Sequence, residues 1–141
     1  MQYIILIPAY EPDRKLLVLL KEIDKKYPVI VVNDGSSDLY ESVFKEAQKY
    51  AYVISYKKNM GKGYALKTGL NYIEDTYHNY VVVTMDSDGQ HSVKDAIKLS
   101  NYAEKHLNEL VIGKRIRSEK TPLRSKLGNG ITMLVYRLTT G

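Results

Sequence analysis

The chain alternates short apolar runs with segments whose apolar residues recur at helical spacing. Continuous apolar runs rich in β-branched residues are typical of parallel strands covered on both faces. Their alternation with helices predicts a parallel sheet with right-handed crossovers and helices on its faces, which is an α/β fold. The predicted strands are Tyr3–Ile7, Val29–Val32, Tyr52–Tyr56, Tyr80–Met85 and Leu110–Gly113, and the first is expected to stop at Pro8.

Four segments between these runs are predicted to be helical because their apolar residues fall on one face. Asp38 with Glu41 three residues later resembles a capping box, so the second helix is expected to open there and run to about Tyr50. The residues expected to face inward are Leu16, Leu17, Leu19, Leu20 and Ile23, then Ala65, Leu66, Leu70 and Ile73, then Val93, Ala96, Ile97 and Ser100.

The composition is that of an ordinary globular protein with one domain. The 141 residues are 44% hydrophobic and 26% charged, which suits a single domain over residues 1–141. The absence of cysteine excludes disulfides, thiolate metal sites and a cysteine nucleophile. No apolar run approaches the length of about 20 residues that spans a bilayer, and no targeting segment is visible. We therefore expect a cytoplasmic protein.

The positive charge is concentrated at the end of the chain. Residues 1–104 carry 13 Lys and Arg against 14 Asp and Glu, a net −1, whereas residues 105–141 carry 8 against 2, a net +6. A basic end can meet nucleic acid, an anionic membrane surface or a phosphorylated substrate, or can simply keep the protein soluble. Arg115, Arg117 and Arg124 lie here, and their guanidinium groups match phosphate geometry.

Polar residues follow each predicted strand, and the carboxyl ends of parallel strands meet at one edge of a sheet, where ligands bind. Asp86 and Asp88 follow the fourth strand, and both carboxylates of such a loop can turn toward one ion. Oxygen ligands suit a hard cation, so Mg²⁺ or Mn²⁺ is expected at Asp86, Asp88 and Gln90. A plain turn that closes the strand is the alternative, and His91 is either part of the site or a surface residue.

Two other loops on this edge carry candidate nucleotide-binding residues. Asp34 ends the second strand and can accept a hydrogen bond from a base or ribose, whereas Asp38 is expected to serve only as a helix cap. Gly61 and Lys62 precede the third helix, whose amino end favours an anion. The alternative is again a set of strand–helix turns.

Two common nucleotide-binding motifs are absent. Gly61–Thr68 nearly fits a Walker A loop, but Leu66 stands where the second glycine is required. Pro8-Ala9-Tyr10-Glu11 follows the first strand in place of a Gly-x-Gly-x-x-Gly turn, which argues against a Rossmann dinucleotide site and against a nucleotidyltransferase.

Four segments together resemble the family 2 glycosyltransferases of the GT-A fold, in the family's order and over nearly the whole chain. They are Ile7-Pro8-Ala9-Tyr10-Glu11, Val31–Asp38, Asn59-Met60-Gly61-Lys62-Gly63 with Ala65 and Gly69, and Met85–His91. Asp86-Ser87-Asp88-Gly89-Gln90-His91 is most similar to the signature of the polyprenyl-phosphate sugar synthases, a group that includes the dolichyl-phosphate mannose type. Ser92 departs from that group's usual proline, and Lys114 from its serine.

The resemblance implies an inverting transfer of a sugar from a UDP- or GDP-sugar. Pro8, Ala9, Tyr10, Glu11 and Asp34 match the positions that hold the base and ribose, and Asp86, Asp88 and Gln90 match the metal and diphosphate motif. Arg115 resembles an arginine that meets the acceptor phosphate, with Arg117 beside it, and Arg124 resembles a further phosphate-binding arginine. A lipid-phosphate acceptor at the inner face of the cell membrane is therefore expected, and no nucleic acid.

Relatives usually continue beyond the point where this sequence stops. We therefore interpret residues 1–113 as a donor-binding half and residues 114–141, the basic segment, as the start of the acceptor side. The resemblance leaves two alternatives open, which are transfer to a saccharide hydroxyl and a nucleotide-sugar-binding remnant without activity.

Overall fold

Four parallel strands form the sheet of the computed structural model, which describes residues 1–106 and 109–113. Met1–Val111 forms one compact unit, and the remaining residues form a second, of which only 112 and 113 are described. The strands are β1 (Gln2–Ala9), β2 (Val29–Asp34), β3 (Tyr52–Tyr56) and β4 (Tyr80–Thr84), and their order is β3-β2-β1-β4. The helices are α1 (Lys15–Glu22), α2 (Glu41–Ala47), α3 (Lys62–Thr76) and α4 (Val93–Ala103).

Both faces of the sheet are covered, as the apolar runs predict. Ile4, Ile5, Leu6 and Ile7 of β1 are all fully buried, and alternate residues enter two separate cores. Ile5 and Ile7 pack with the buried leucines of α1 and with residues of α2 and α4. Ile4 and Leu6 pack with Ala65 and Ile73 of α3 on the other face. The α/β fold expected from the sequence is therefore confirmed.

The first strand continues through Pro8 to Ala9, so the expected stop at Pro8 is wrong. The Leu6 carbonyl accepts a hydrogen bond from the Met85 N–H at 3.0 Å, and alternate residues of a strand face the same neighbour. A backbone N–H at position 8 would therefore point toward β4, but the pairing of β1 with β4 has already ended at Thr84. Proline costs no ladder hydrogen bond there.

Two helix details also differ from the prediction. The side chain of Asp38 makes no capping hydrogen bond, because Asp38 opens a short 3-10 turn that runs to Tyr40 before α2 begins. Leu70 is exposed, and the neighbouring Gly69 takes the buried position between Ala65 and Ile73. A Cβ at Gly69 would lie 2.3 Å from Leu6 Cδ1, so the bare backbone lets α3 lie close to the sheet.

The fifth predicted strand is absent, since residues 110–113 have no regular secondary structure. The run contains only three apolar residues, and Leu110 is 81% exposed. It does not have the buried environment that a covered strand needs. In the described part of the chain, no helix is long and apolar enough to cross a bilayer.

Candidate active site

The carboxyl ends of β1, β2 and β4 open into one cleft of about 330 Å³. Because β1 lies between β2 and β4, the two ends of the cleft are two strand spacings apart, about 10 Å. The cleft is lined by Pro8, Ala9, Tyr10, Asp34, Asn59, Gly61, Lys62, Asp86, Ser87 and Asp88. Its residues come from four segments that are distant in sequence, as the convergence of strand ends predicts.

Asp34 is held rigidly at the β2 end of the cleft. The residue is only 3% exposed, and its Oδ1 accepts hydrogen bonds from Tyr56 Oη at 2.7 Å and from the Met60 N–H at 2.8 Å. The parallel register pairs Asp34 with Tyr56 directly. Burial, together with the hydrogen bond to the carboxylate, raises the pKa of the Tyr56 phenol well above its usual range, so this donor keeps its proton.

The loop that supplies the Met60 N–H lies directly against the β2 turn. Gly35 has a φ of +66°, and a Cβ on it would lie 2.3 Å from both Asn59 N and the Lys58 carbonyl carbon. The loop then turns into α3 through an Asn59 side chain that accepts the Gly61 N–H at 3.0 Å. Gly35 therefore sets how closely the two loops approach.

The β1 end of the cleft is connected to β2 through side-chain hydrogen bonds. The Glu11 N–H donates to Ser36 Oγ at 2.9 Å, and the Ser36 N–H donates to Asn33 Oδ1 at 3.0 Å. Glu11 has a φ of +46°, a left-handed conformation that is uncommon for a residue with a side chain. Tyr10 lines the cleft with half of its surface exposed.

The acidic turn, residues 86–91, is held by hydrogen bonds within itself. The Asp86 N–H donates to His91 Nδ1 at 3.1 Å, and the Gln90 N–H donates to Asp88 Oδ1 at 2.9 Å. Because Nδ1 accepts, a neutral His91 carries its proton on Nε2. The contact made by His91 is thus with the backbone of the turn. This geometry fixes the relative positions of the two carboxylates.

Lys62 brings a positive charge to this end of the cleft. Its Nζ lies 2.5 Å from Asp86 Oδ1, and the side chain of Lys62 is 62% exposed. Lys62 is also the first residue of α3, whose amino end attracts anions. An ammonium group therefore lies beside the Asp86 carboxylate, and the amino end of α3 lines the same cleft, an arrangement suited to a ligand that brings both a cation and phosphate groups.

The acidic turn has the donor chemistry that Mg²⁺ or Mn²⁺ needs. Asp86 and Asp88 supply carboxylate oxygens, and such hard cations prefer oxygen ligands. Across residues 1–106 and 109–113, no group of three or more His, Asp or Glu side chains is placed to hold an ion. Mg²⁺ commonly binds through one or two carboxylates plus substrate phosphates, so two carboxylates fit an ion that is completed by a diphosphate.

The structure brings together eight of the residues singled out from the sequence. These are Pro8, Ala9, Tyr10, Asp34, Gly61, Lys62, Asp86 and Asp88, which all line the cleft. Glu11 and Gln90 are not among its lining residues, although each is in a loop that borders it. Arg115, Arg117 and Arg124 lie outside the described residues.

Sequence reasoning gave no role to Tyr56 and the backbone N–H of Met60, which hold Asp34, or to Asn59 and Ser87, which line the cleft. Tyr56 was within reach of sequence reasoning, because it ends the third strand and so lies on the same edge as Asp34. The Met60 N–H carries no sequence signal, since every residue except proline has one.

Comparisons with known proteins identify the family of the chain. The family model of glycosyl transferase family 2 matches residues 4–139. A UDP-N-acetylglucosamine–dolichyl-phosphate N-acetylglucosaminyltransferase of Methanococcus voltae is 28% identical over 156 residues, covering 95% of this chain and 62% of the relative. The dolichyl-phosphate beta-glucosyltransferase of Homo sapiens is 33% identical over 126 residues, covering 77% of this chain and 36% of the relative.

The fold is also found in a solved structure. Staphylococcus aureus TarS superposes with a TM-score of 0.55 at 19% identity, over 86% of this chain and 24% of TarS. The chain spans less than two thirds of the length of these relatives. Because the family model covers nearly all of the sequence, the chain belongs to glycosyl transferase family 2.

Proposed function

We propose that this chain provides the donor site of an inverting glycosyltransferase that moves a sugar from a nucleoside-diphosphate sugar to polyprenyl phosphate. One observation carries the proposal: a buried carboxylate, Asp34, and a pair of carboxylates with a lysine lie at opposite ends of a single cleft. The names of the relatives in Methanococcus voltae and Homo sapiens, both of which specify dolichyl phosphate, support the acceptor class.

The base and ribose are assigned to the β2 end of the cleft. Asp34 accepts a hydrogen bond from the nucleoside, while Pro8, Ala9 and Tyr10 form the wall beside it. Glu11 supports that wall, since its N–H fixes the β1 turn to Ser36. The distance of about 10 Å to the β4 end is one that a nucleoside with its first phosphate groups can span.

The diphosphate is assigned to the β4 end. Asp86, Asp88 and Gln90 would hold Mg²⁺ or Mn²⁺, which supplies positive charge for the leaving diphosphate. Lys62 and the N–H groups at the start of α3, beside Gly61, bind phosphate oxygens directly. Lys62 exchanges its contact with Asp86 for the phosphate when the donor binds.

A phosphate acceptor simplifies the remaining chemistry. Its oxygen is already anionic and attacks without a general base, whereas a sugar hydroxyl requires one. Arg115, Arg117 and Arg124 of the basic segment would hold this phosphate, and the net positive charge of residues 105–141 favours contact with an anionic membrane surface at its cytoplasmic face.

Calorimetry with UDP and GDP in the presence of Mn²⁺ tests the donor site. Asp88→Ala should lose at least about tenfold in metal-dependent nucleotide affinity, because charged hydrogen-bond and metal contacts exceed about 1.4 kcal/mol. Asp95→Ala is the matched control, since Asp95 is an exposed carboxylate on α4 whose partner is Lys98. Unchanged nucleotide binding by Asp88→Ala would refute the site.

Transfer of labelled sugar to polyprenyl phosphate tests the acceptor. Product formation that requires Mn²⁺ and is lost in Asp88→Ala is the expected result. Donor binding with no turnover would instead favour a nucleotide-sugar-binding module. Transfer to a saccharide hydroxyl but not to the lipid phosphate would overturn the proposed acceptor.

A further inference from the structure

The hydrogen bonds of Asp34 are unevenly divided between its two oxygens. Tyr56 Oη at 2.7 Å and the Met60 N–H at 2.8 Å both donate to Oδ1. A carboxylate oxygen offers two acceptor positions, so these donors fill Oδ1. Asp34 lines the cleft although it is 3% exposed. Its Oδ2 is therefore the acceptor that it presents to a ligand.

Both donors to Oδ1 are fixed in place, so a ligand does not readily displace them. Tyr56 belongs to β3, and its ring makes an edge contact with Tyr64 of α3 at a centroid distance of 5.5 Å. The Met60 N–H belongs to the loop that lies against Gly35. Strand pairing and close backbone packing thus hold the phenol and the amide on the same oxygen.

We infer that this arrangement makes Asp34 select a uracil-type base over guanine, with Tyr56 as the residue that determines the specificity. The inference rests on the proposed function, because it takes the base to lie at Asp34. Uracil and thymine present a single ring N–H between two carbonyl groups, and one acceptor satisfies it. The donor sugar is therefore carried on uridine or thymidine diphosphate.

Guanine makes a different demand on a carboxylate. Its ring N–H and its amino group are adjacent donors, which pair with both oxygens of a carboxylate at once. Here the second donor would meet Oδ1, which is already occupied by Tyr56 and the Met60 N–H. Cytosine and adenine have an unprotonated ring nitrogen at the corresponding edge, and its lone pair would face the carboxylate.

Calorimetry with four nucleotides in the presence of Mn²⁺ tests the inference on the unmodified protein. UDP should bind at least about tenfold more tightly than GDP, because an unpaired donor on the buried edge of guanine is costly. N3-methyl-UDP should lose at least about tenfold relative to UDP, since it lacks the ring N–H. Binding of UDP and dTDP is compared to identify which of the two uracil-type nucleotides is preferred.

Tyr56→Phe tests the role of the phenol, because it keeps the ring and removes only the donor to Oδ1. The ratio of UDP to GDP affinity should fall at least about threefold, mainly through tighter GDP binding. Tyr52→Phe is the matched control on the same strand, where the ring stacks on Tyr72, and its affinity ratio should stay unchanged.

Three results would overturn the inference while leaving the proposed function intact. They are GDP binding as tight as UDP binding, equal affinity for UDP and N3-methyl-UDP, and an affinity ratio that Tyr56→Phe does not change. Failure of every nucleotide to bind would refute the proposed function itself. The N3-methyl-UDP comparison uses the unmodified protein, so it decides the question even if Tyr56→Phe does not fold.

Discussion

Replacing Gly35 with alanine should damage both the stability of the fold and the nucleotide site. Gly35 has a φ of +66°, and a Cβ on it would lie 2.3 Å from Asn59 N and from the Lys58 carbonyl carbon. These are backbone atoms, so no side-chain rotation can relieve the contact. The loop that carries the Met60 N–H must move away from Asp34.

Two costs contribute to the expected loss of stability. Left-handed backbone costs an alanine about 1–2 kcal/mol, and forcing extra volume into a packed region costs about 1–3 kcal/mol. The free energy of unfolding should therefore fall by about 2–5 kcal/mol in Gly35→Ala. Domains are typically stable by about 5–15 kcal/mol, so the variant should still fold in the absence of urea.

Two other glycines separate the costs in urea denaturation experiments. Gly61 has a φ of +90° and a ψ of 157°, a backbone region that is nearly restricted to glycine, and a Cβ added to it would have no atom within 4 Å. Gly61→Ala should therefore lose only the conformational cost of about 1–3 kcal/mol. Gly63 is in α3 with open space around it and no positive φ, so Gly63→Ala should be neutral or stabilising by up to about 1 kcal/mol. UDP affinity should fall in Gly35→Ala and be unchanged in Gly63→Ala.

The order of stabilities is what can refute this reasoning. Gly35→Ala should be the least stable, followed by Gly61→Ala, with Gly63→Ala at or above the unmodified protein. If Gly35→Ala and Gly61→Ala lowered the free energy of unfolding equally, a Cβ at Gly35 would not meet the neighbouring loop, and the close approach of the two loops would be refuted. If Gly35→Ala lost stability but kept full UDP affinity, the loop would not position the Met60 N–H for binding.

Three further changes have definite expected outcomes. Lys62→Met should lower UDP affinity several-fold, but its free energy of unfolding should change by less than about 1 kcal/mol because the ion pair is exposed. Lys67 is exposed on the same helix, so Lys67→Met should change neither the UDP affinity nor the stability. An equal loss of UDP affinity in the two variants would contradict the role of Lys62. The hydrogen bond from Tyr3 and the N-terminal ammonium group lower the pKa of Glu104, so its stabilising contribution is present above its ordinary pKa and lost as the pH falls through the lowered one. Glu104→Gln should flatten the acid side of the stability–pH curve, and an unchanged slope would refute this. The raised pKa of Tyr56 keeps its phenol protonated at about pH 10, where exposed tyrosines ionise. Tyr56→Phe and the unmodified protein should therefore form the same number of tyrosinates up to about pH 11. Ultraviolet difference absorbance measures that number.

The sequence predicts the layers of the fold well because burial on both faces leaves a direct signal. Ile4–Ile7 is apolar at every position, and each of these residues is fully buried. The strand-end rule likewise predicts from the sequence that Asp34 and Asp86 lie at one edge of the sheet. Pro8 shows that the preference of proline for strand ends does not by itself locate the end of a strand. Proline interrupts a strand only where a backbone N–H would be needed for pairing, and here the pairing with β4 has already ended.

The finer geometry of the site depends on tertiary contacts that have no local pattern. Tyr56 reaches Asp34 because the register of β2 and β3 aligns them, and the same tyrosine one residue away would point to the opposite face. The contact between Lys62 and Asp86 depends on where α3 begins relative to β4. Glu11 likewise combines a left-handed conformation with a hydrogen bond from its N–H to Ser36, a residue 25 positions away.

Paramagnetic broadening of backbone amide signals by Mn²⁺, measured by NMR with UDP present, tests the central claim most directly. We expect the strongest broadening at residues 86–88, which line the cleft where β4 ends. Amides around Glu104, which contacts Tyr3 at the start of β1, lie at the opposite end of the sheet and should be broadened least. Broadening that is strongest around Glu104, or that does not depend on UDP and is absent from residues 86–88, would contradict a metal and diphosphate site at the acidic turn.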